Sequence, residues 1–161
     1  MNEYNNNKKS KKFDKAIEFL DGFLKVGTDK EELGIANNRL GLIHYALKEY
    51  GKALKYFGDA AKSDPADYTN DFFRGVIYAK ANKLAEAEAE FKSCLKKKPG
   101  YGDAHFQLAT LYQMQYRDEE AIEQYRAAAA DGSFGKRSAA RQKAQELEAY
   151  LRKVKEAEAG Q

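Results

Sequence analysis

Few side chains in this sequence are of types that do covalent or acid–base chemistry, and their spacing scatters them. There are two histidines, His44 and His105, and one cysteine, Cys94. A metal centre needs three or four converging ligands, and the two histidines fall at unlike places in separate segments. A nucleophilic cysteine needs an adjacent base or cation, and none is recognisable beside Cys94. A single cysteine also rules out a disulfide within the chain. Asp118, Glu119 and Glu120 form an acidic run, but acids in a row suit the first turn of a helix. Lys96, Lys97 and Lys98 suit the last turn of one for the same reason. No glycine-rich phosphate loop and no Ser/His/Asp or Cys/His set is present. The expectation is therefore no enzyme, no cofactor and no metal. What remains is recognition, through aromatic and apolar side chains interleaved with small ones.

The elements that must position those side chains are helical. At 161 residues, with 43% hydrophobic and 33% charged residues and two prolines, the composition is that of one soluble, mostly helical domain with room for a continuous core. No apolar run is long enough to cross a bilayer. Residues 1–12 are polar and lysine-rich with no apolar block, so no secretory leader is read there and a cytoplasmic location is expected. Four of the 28 cations, Lys8, Lys9, Lys11 and Lys12, stand in that lead against Glu3 alone, and the rest of the chain is charge-balanced. A balanced body speaks against nucleic acid as the partner. The lysine lead itself is a candidate electrostatic contact with an acidic surface.

The chain repeats every 34 residues. Pro65 and Pro99 mark the period, and small residues recur with it at Gly41, Gly75 and Ala109. Alanines follow at Ala53, Ala87 and Ala121, aromatics at Phe57, Phe91 and Tyr125, and small residues again at Ala60, Cys94 and Ala128. Small residues let two antiparallel helices approach, aromatics fill the wedge between neighbouring pairs, and proline stops the second helix. Cys94 thus reads as a small core residue, and His44 as a buried substitute for the tyrosine found at Tyr78 and Tyr112. His105 reads as a surface or groove residue.

In period and in the order of small, aromatic and proline positions, residues 12–134 resemble the tetratricopeptide repeat. The resemblance implies an all-α fold, an α-solenoid of antiparallel helix pairs wound as a right-handed superhelix, with a C-terminal capping helix. The units expected are a disordered lead at 1–11, a half-repeat (second helix only) at 12–33, full repeats at 34–67, 68–101 and 102–134, and the capping helix at 135–161. From Ala16 to Ala53 the spacing is 37, which predicts a short insertion in the 27–32 turn. Ala140, Ala144, Leu147, Leu151 and Val154 form the cap's apolar stripe. Some residues depart from the family pattern: Asn37, Asp71 and His105 at its early tryptophan position, Arg74 before Gly75, and His44. Either the core is locally weakened, or the first helices shift so that Phe72, Phe73 and Phe106 do the packing.

The resemblance also implies where a partner sits. The concave wall of such a solenoid comes from the first helix of each pair. Here it would carry Ile35, Asn38, Leu42 and Tyr45, then Thr69, Phe72, Val76 and Ala79, then Asp103, Phe106, Thr110 and Gln113. The candidate binding residues are Asn38, Leu42, Tyr45, Phe72, Val76, Phe106, Thr110 and Gln113, with Leu42, Phe72, Val76 and Phe106 as an apolar strip. Such a strip suits an amphipathic helix or an extended peptide with apolar anchors; the opposing reading of the same residues is core. The expected function is a non-enzymatic protein–protein interaction scaffold or adaptor. The alternative is a self-assembling subunit of a larger complex, joined through the open N-terminal helix or the convex face. Family members that clamp acidic chaperone tails do so with cations and asparagines, where this chain has Asp103, Gln107 and Phe73, so that use is not expected here.

Overall fold

The computed structural model describes residues 2–159, with side chains from Lys12 onward. Its eight described helices are α1 (Asn2–Val26), α2 (Lys30–Ala46), α3 (Tyr50–Ser63), α4 (Tyr68–Lys80), α5 (Leu84–Lys97), α6 (Gly102–Met114), α7 (Asp118–Ala130) and α8 (Arg137–Ala159). No strand occurs among the described residues. The chain divides into two compact units, Met1–Ile77 and Tyr78–Gln161, with the boundary inside α4.

The 34-residue period is written into the backbone. Lys48, Asn82 and Tyr116 each stand just past a first helix with positive φ, at 62°, 57° and 57°. At each, the next residue's N–H reaches back five residues: Glu49 to His44 O, Lys83 to Tyr78 O and Arg117 to Tyr112 O, at 2.9, 2.9 and 3.0 Å. This left-handed cap closes the helix and turns the chain sharply into the next one. Asparagine adopts such a φ readily, whereas lysine and tyrosine do so at a cost of about 1–2 kcal/mol. The second helices end differently. Asp64 and Lys98 are extended (φ −126° and −133°) because each precedes a proline, whose ring excludes the helical conformation there. α7 ends without proline at Asp131.

In Met1–Ile77, α2 packs on α3 and α1 packs on α2. Gly41 is required by contact: a Cβ there would lie 2.7 Å from the Phe57 ring. Phe57 is wholly buried and stacked on Phe73 at 5.4 Å, and the Tyr45 ring lies 5.5 Å from Phe73. In Tyr78–Gln161, α6 packs on both α5 and α7, and α7 on α8. Ala87, Phe91, Cys94, Ala104, Ala109, Ala121, Tyr125 and Ala128 are each 0% exposed, so Cys94 is the core residue its repeat position predicts. α8 lays Ala140, Ala144 and Leu147 into the core, with Leu151 and Val154 half-buried beyond them. That is the stripe expected of the C-terminal helix.

Two expectations are corrected. The lead expected to be disordered at 1–11 is helical from Asn2 onward; Met1 lies outside the described residues. Residues 2–12 hold no glycine or proline, so the amphipathic helix nucleated further on propagates N-terminally at low cost. The insertion expected in the 27–32 turn is instead absorbed as helix: α2 has 17 residues against 13 in α4 and α6. Asp29 caps it, accepting the Glu32 N–H at 2.9 Å, a conventional N-cap that moves the helix start upstream.

Candidate interaction surface

The first helices carry the expected wall residues, and each unit treats them differently. In Met1–Ile77, Asn38 is half-buried, and its amide donates to Asn70 Oδ1 at 2.9 Å, Thr69 Oγ1 at 3.1 Å and Asp67 Oδ2 at 3.4 Å. It thereby ties α2 to the start of α4. Asn70 is almost fully buried, and such a polar group needs these partners. Asp67 caps α4 by accepting the Thr69 N–H at 2.9 Å. A cavity of about 310 Å³ adjoins this clasp, lined among others by Glu31, Arg39, Asp64 and Asp67. Leu42 and Ile35 remain apolar and exposed, at 36% and 49%. Tyr45 is half-buried between Tyr50 and Phe73, and Val76 is half-buried.

Phe72 is not on an exposed strip. It is 9% exposed and meets Phe73 edge-on at 5.3 Å. Of the two readings the sequence left open, Phe72 and Phe73 follow the packing one: Phe73 stacks on Phe57, and Phe72 packs edge-on against Phe73.

In Tyr78–Gln161, Phe106, Thr110 and Gln113 form one row on α6, gathered around Tyr125 of α7. Phe106 meets Tyr125 edge-on at 5.3 Å and Phe134 at 5.6 Å. The Tyr125 hydroxyl donates to Gln113 Oε1 at 3.1 Å and lies 3.2 Å from Thr110 Oγ1. Tyr125 stands where Phe57 stands in the other unit, and a buried phenol oxygen must find partners. Lys136 and Lys143 place ammonium groups 5.7 Å from the Phe106 and Tyr125 rings respectively, giving this row a cationic rim.

The candidate chemistry residues are engaged within the fold. His44 is buried at 4%, lies flat on Tyr56 at 5.2 Å and holds Glu49 Oε2 at 2.6 Å through Nδ1. It is the buried tyrosine substitute expected. Hydrogen bonds from Lys52 and then His44 hold the Glu49 carboxyl below its ordinary range. His105 donates through Nε2 to the Pro99 carbonyl and meets the Gln124 amide through Nδ1, both at 2.7 Å. No group of three metal-capable side chains occurs among the described residues. Asp118, Glu119 and Glu120 open α7, and Lys96 and Lys97 close α5.

A charged network at the α6–α7 turn escaped the sequence reading. Arg117 Nη1 reaches Glu88 Oε2 at 2.7 Å and its Nη2 reaches Glu120 at 2.5 Å, while its guanidinium covers the Tyr112 ring at 4.1 Å. Lys92 joins Glu88 at 2.6 Å. Burial pushes the Glu88 carboxyl up, but hydrogen bonds from Arg117 and Lys92 outweigh it and hold it below its ordinary range. The local signals were the Glu88–Lys92 spacing of four and the Arg117–Glu120 spacing of three; the Arg117–Glu88 contact spans 29 residues. Asp131 escaped it too: it accepts Ser133 Oγ at 2.8 Å, Ser133 N at 2.9 Å and Gly102 N at 2.9 Å. It thereby caps α6, whose own N-cap residue Tyr101 makes no side-chain cap hydrogen bond.

The repeat profile described as tetratricopeptide repeat matches residues 9–68, 38–101 and 72–136. The chain belongs to the tetratricopeptide repeat family. Over 68 residues it is 35% identical to the tetratricopeptide repeat and J domain-containing co-chaperone DNJ1 of Fusarium oxysporum, a match covering 42% of this chain and 13% of that protein. The chain therefore spans a small part of that relative's length. Among solved structures it is similar to the Arabidopsis OM64 TPR domain, with TM-score 0.65, 21% identity, and 78% of this chain and 98% of that one covered. It is also similar to the first TPR of Spaghetti (RPAP3) bound to the HSP90 peptide SRMEEVD, with TM-score 0.67, 16% identity, and 75% and 94% covered. At these identities the likeness is one of fold: the all-α solenoid of tetratricopeptide helix pairs, ended here by α8. No described helix is long and apolar enough to cross a membrane.

Proposed function

We propose that the chain is a non-enzymatic adaptor whose first-helix wall holds a helix or extended segment of a partner protein. The observation that carries this reading is the exposure of Leu42 and Ile35 beside a polar clasp that is already satisfied within the fold. Exposed apolar side chains flanked by fixed polar groups are how such surfaces recognise peptides. Asn38, Tyr45 and Val76 supply the remainder of the wall in Met1–Ile77, and Phe106, Thr110 and Gln113 the wall of Tyr78–Gln161, while Phe72 supports it from behind. A protein partner, rather than nucleic acid, fits the balanced charge of the body. The cytoplasmic location expected from the sequence belongs to the same reading.

The partner is not an acidic chaperone tail of the kind bound in the Spaghetti structure. Phe73 is enclosed by Phe57 and Tyr45 and has no donor for a carboxylate, and Asp103 is exposed where a cation is needed. Labelled SRMEEVD peptide should show no saturable binding at micromolar protein; tight binding would overturn this exclusion. For the wall itself, the test is affinity capture with the wild type beside Val76→Lys and Leu42→Lys, with helical content checked by circular dichroism. A partner retained by both variants would overturn the wall reading.

A further inference from the structure

α1 and α2 form a seat whose counterpart in the next repeat is occupied. Ala16 and Leu20 on α1 stand at the repeat positions of Ala53 and Phe57 on α3, and Ala36, Arg39 and Ile43 on α2 at those of Asn70, Phe73 and Ile77 on α4. Over the second set lies α2 itself. Gly41 touches Phe57, Tyr45 lies 5.5 Å from Phe73, and Asn38 bonds Asn70 at 2.9 Å. Ala53, Phe57 and Ile77 are buried there as one cluster.

Among the described residues no helix lies over the first set. Two adjoining cavities of about 230 and 370 Å³ open between α1 and α2, both lined by Phe19, Leu20 and Arg39. Phe19 is 74% exposed, with Ile35 and Leu42 at 49% and 36% on the facing helix. Burying such side chains is favourable, so the seat is an apolar attractor, with Arg39 at its centre and Glu32 also in its lining.

The occupied seat specifies what fits the open one. α2 enters it as an amphipathic helix with a glycine against the Phe57 ring and, four residues on, Tyr45 against the Phe73 ring. In the open seat Leu20 replaces the first ring and Arg39 the second. A leucine tolerates any small residue opposite it. A guanidinium where a ring should be calls for a carboxylate opposite it, which it pairs in a bidentate fork. Arg39 is exposed and bonds no carboxylate among the described residues. We infer that the α1–α2 groove docks one amphipathic helix of another protein, laid as α2 lies on α3 and α4, with a small residue against Leu20 and a carboxylate four residues later paired to Arg39. This seat shares Ile35 and Leu42 with the proposed wall, and Val76, which lines neither cavity, keeps the two readings apart in the test.

The probe is a fluorescein-labelled peptide of the α2 sequence, residues 30–46, carrying Tyr45→Glu and stapled on its outward face so that helix formation does not limit binding. Anisotropy on the full chain should show saturable binding that weakens at least about tenfold in Phe19→Glu and in Arg39→Glu, as a central contact requires. A peptide carrying Tyr45→Lys should recover binding to Arg39→Glu, and Val76→Lys should leave binding unchanged. Phe19 and Arg39 are exposed, so both variants should keep wild-type helical content. Absence of saturable binding up to millimolar protein overturns the seat, as does binding indifferent to Phe19→Glu, which would mean the peptide displaces α2 itself. Failure of the swapped charge to rescue overturns the Arg39 pairing. A dimer in sedimentation that Phe19→Glu dissociates overturns the occupant, since the seat would then belong to a second copy of this chain.

Discussion

His44 and Tyr112 hold the same place in their repeats, yet the two compact units close around them by different forces. In Met1–Ile77 the imidazole lies flat on Tyr56, and nearby Phe57 is sealed against the bare backbone of Gly41. In Tyr78–Gln161 the phenol lies under the Arg117 guanidinium and donates to Glu88 at 3.3 Å, and Tyr125 replaces Phe57 with its hydroxyl tied to Gln113. The left-handed turn and the hydrogen bond that closes it are the same in both. One backbone motif can thus be held by ring packing, which is sensitive to volume, or by ions and hydrogen bonds, which are sensitive to protons and salt.

The comparison breaks most visibly at Phe57. Phe57→Ala should cost about 3–5 kcal/mol, since it removes a fully buried ring, and Gly41→Ala about 1–3 kcal/mol from overpacking against that ring. Urea unfolding followed by circular dichroism reads both. A loss below about 1 kcal/mol for Phe57→Ala would mean the ring seal does not hold this unit.

Tyr125→Phe should cost about 1 kcal/mol, the usual net worth of a buried hydrogen bond. The reciprocal Phe57→Tyr should cost more, because Leu42 and Tyr45 stand on α2 where Thr110 and Gln113 meet the Tyr125 hydroxyl on α6. Equal stability of the two variants would erase the proposed difference between the units.

Acid separates the units further. Glu88 and Glu49 both have carboxyls held below the ordinary value of 4.5. A depressed acid stabilises the fold fully above its unfolded value and loses that contribution as pH falls through the lower folded one. Thermal unfolding should therefore shift downward in temperature below about pH 4.5. Glu88→Gln should blunt the shift more than Glu49→Gln, because the Glu88 side chain is 17% exposed and that of Glu49 42%. The reverse order would show that the His44–Glu49 pair, and not the Arg117 network, carries the acid response.

The smallest effect lies in the turns. Tyr116→Gly should gain about 0.5 kcal/mol, the left-handed strain relieved less the backbone entropy glycine adds to the unfolded chain. Asn82→Gly should change little. A destabilised Tyr116→Gly would show that this 91% exposed ring makes a contact that outweighs its strain.

Much of this was readable in the sequence. Gly41 with Phe57, and Ala109 with Tyr125, announced the close helix pairs, Pro65 and Pro99 announced the helix ends, and the alanine and leucine stripe of α8 announced the cap. The candidate surface was less legible. Leu42 and Ile35 are exposed as read, but Phe72 looked like their neighbour and is buried. A stripe at helical spacing specifies a helix face without saying whether anything covers it. Likewise no local pattern links Glu88 to Arg117 or Asp131 to Gly102, because each pair meets only once separate helices are packed.

The order of helices, their approximate ends and the small-against-aromatic contacts follow from residue types spaced at the pitch of a helix and the period of a repeat. Those are short-range properties, set by backbone sterics and side-chain volume within some thirty residues. Packing alone decided which aromatic is exposed and which is buried, which carboxylate meets Arg117, and that no described helix lies over the α1–α2 groove. Each depends on what a second helix brings within a few ångströms, and distance along the chain does not encode that.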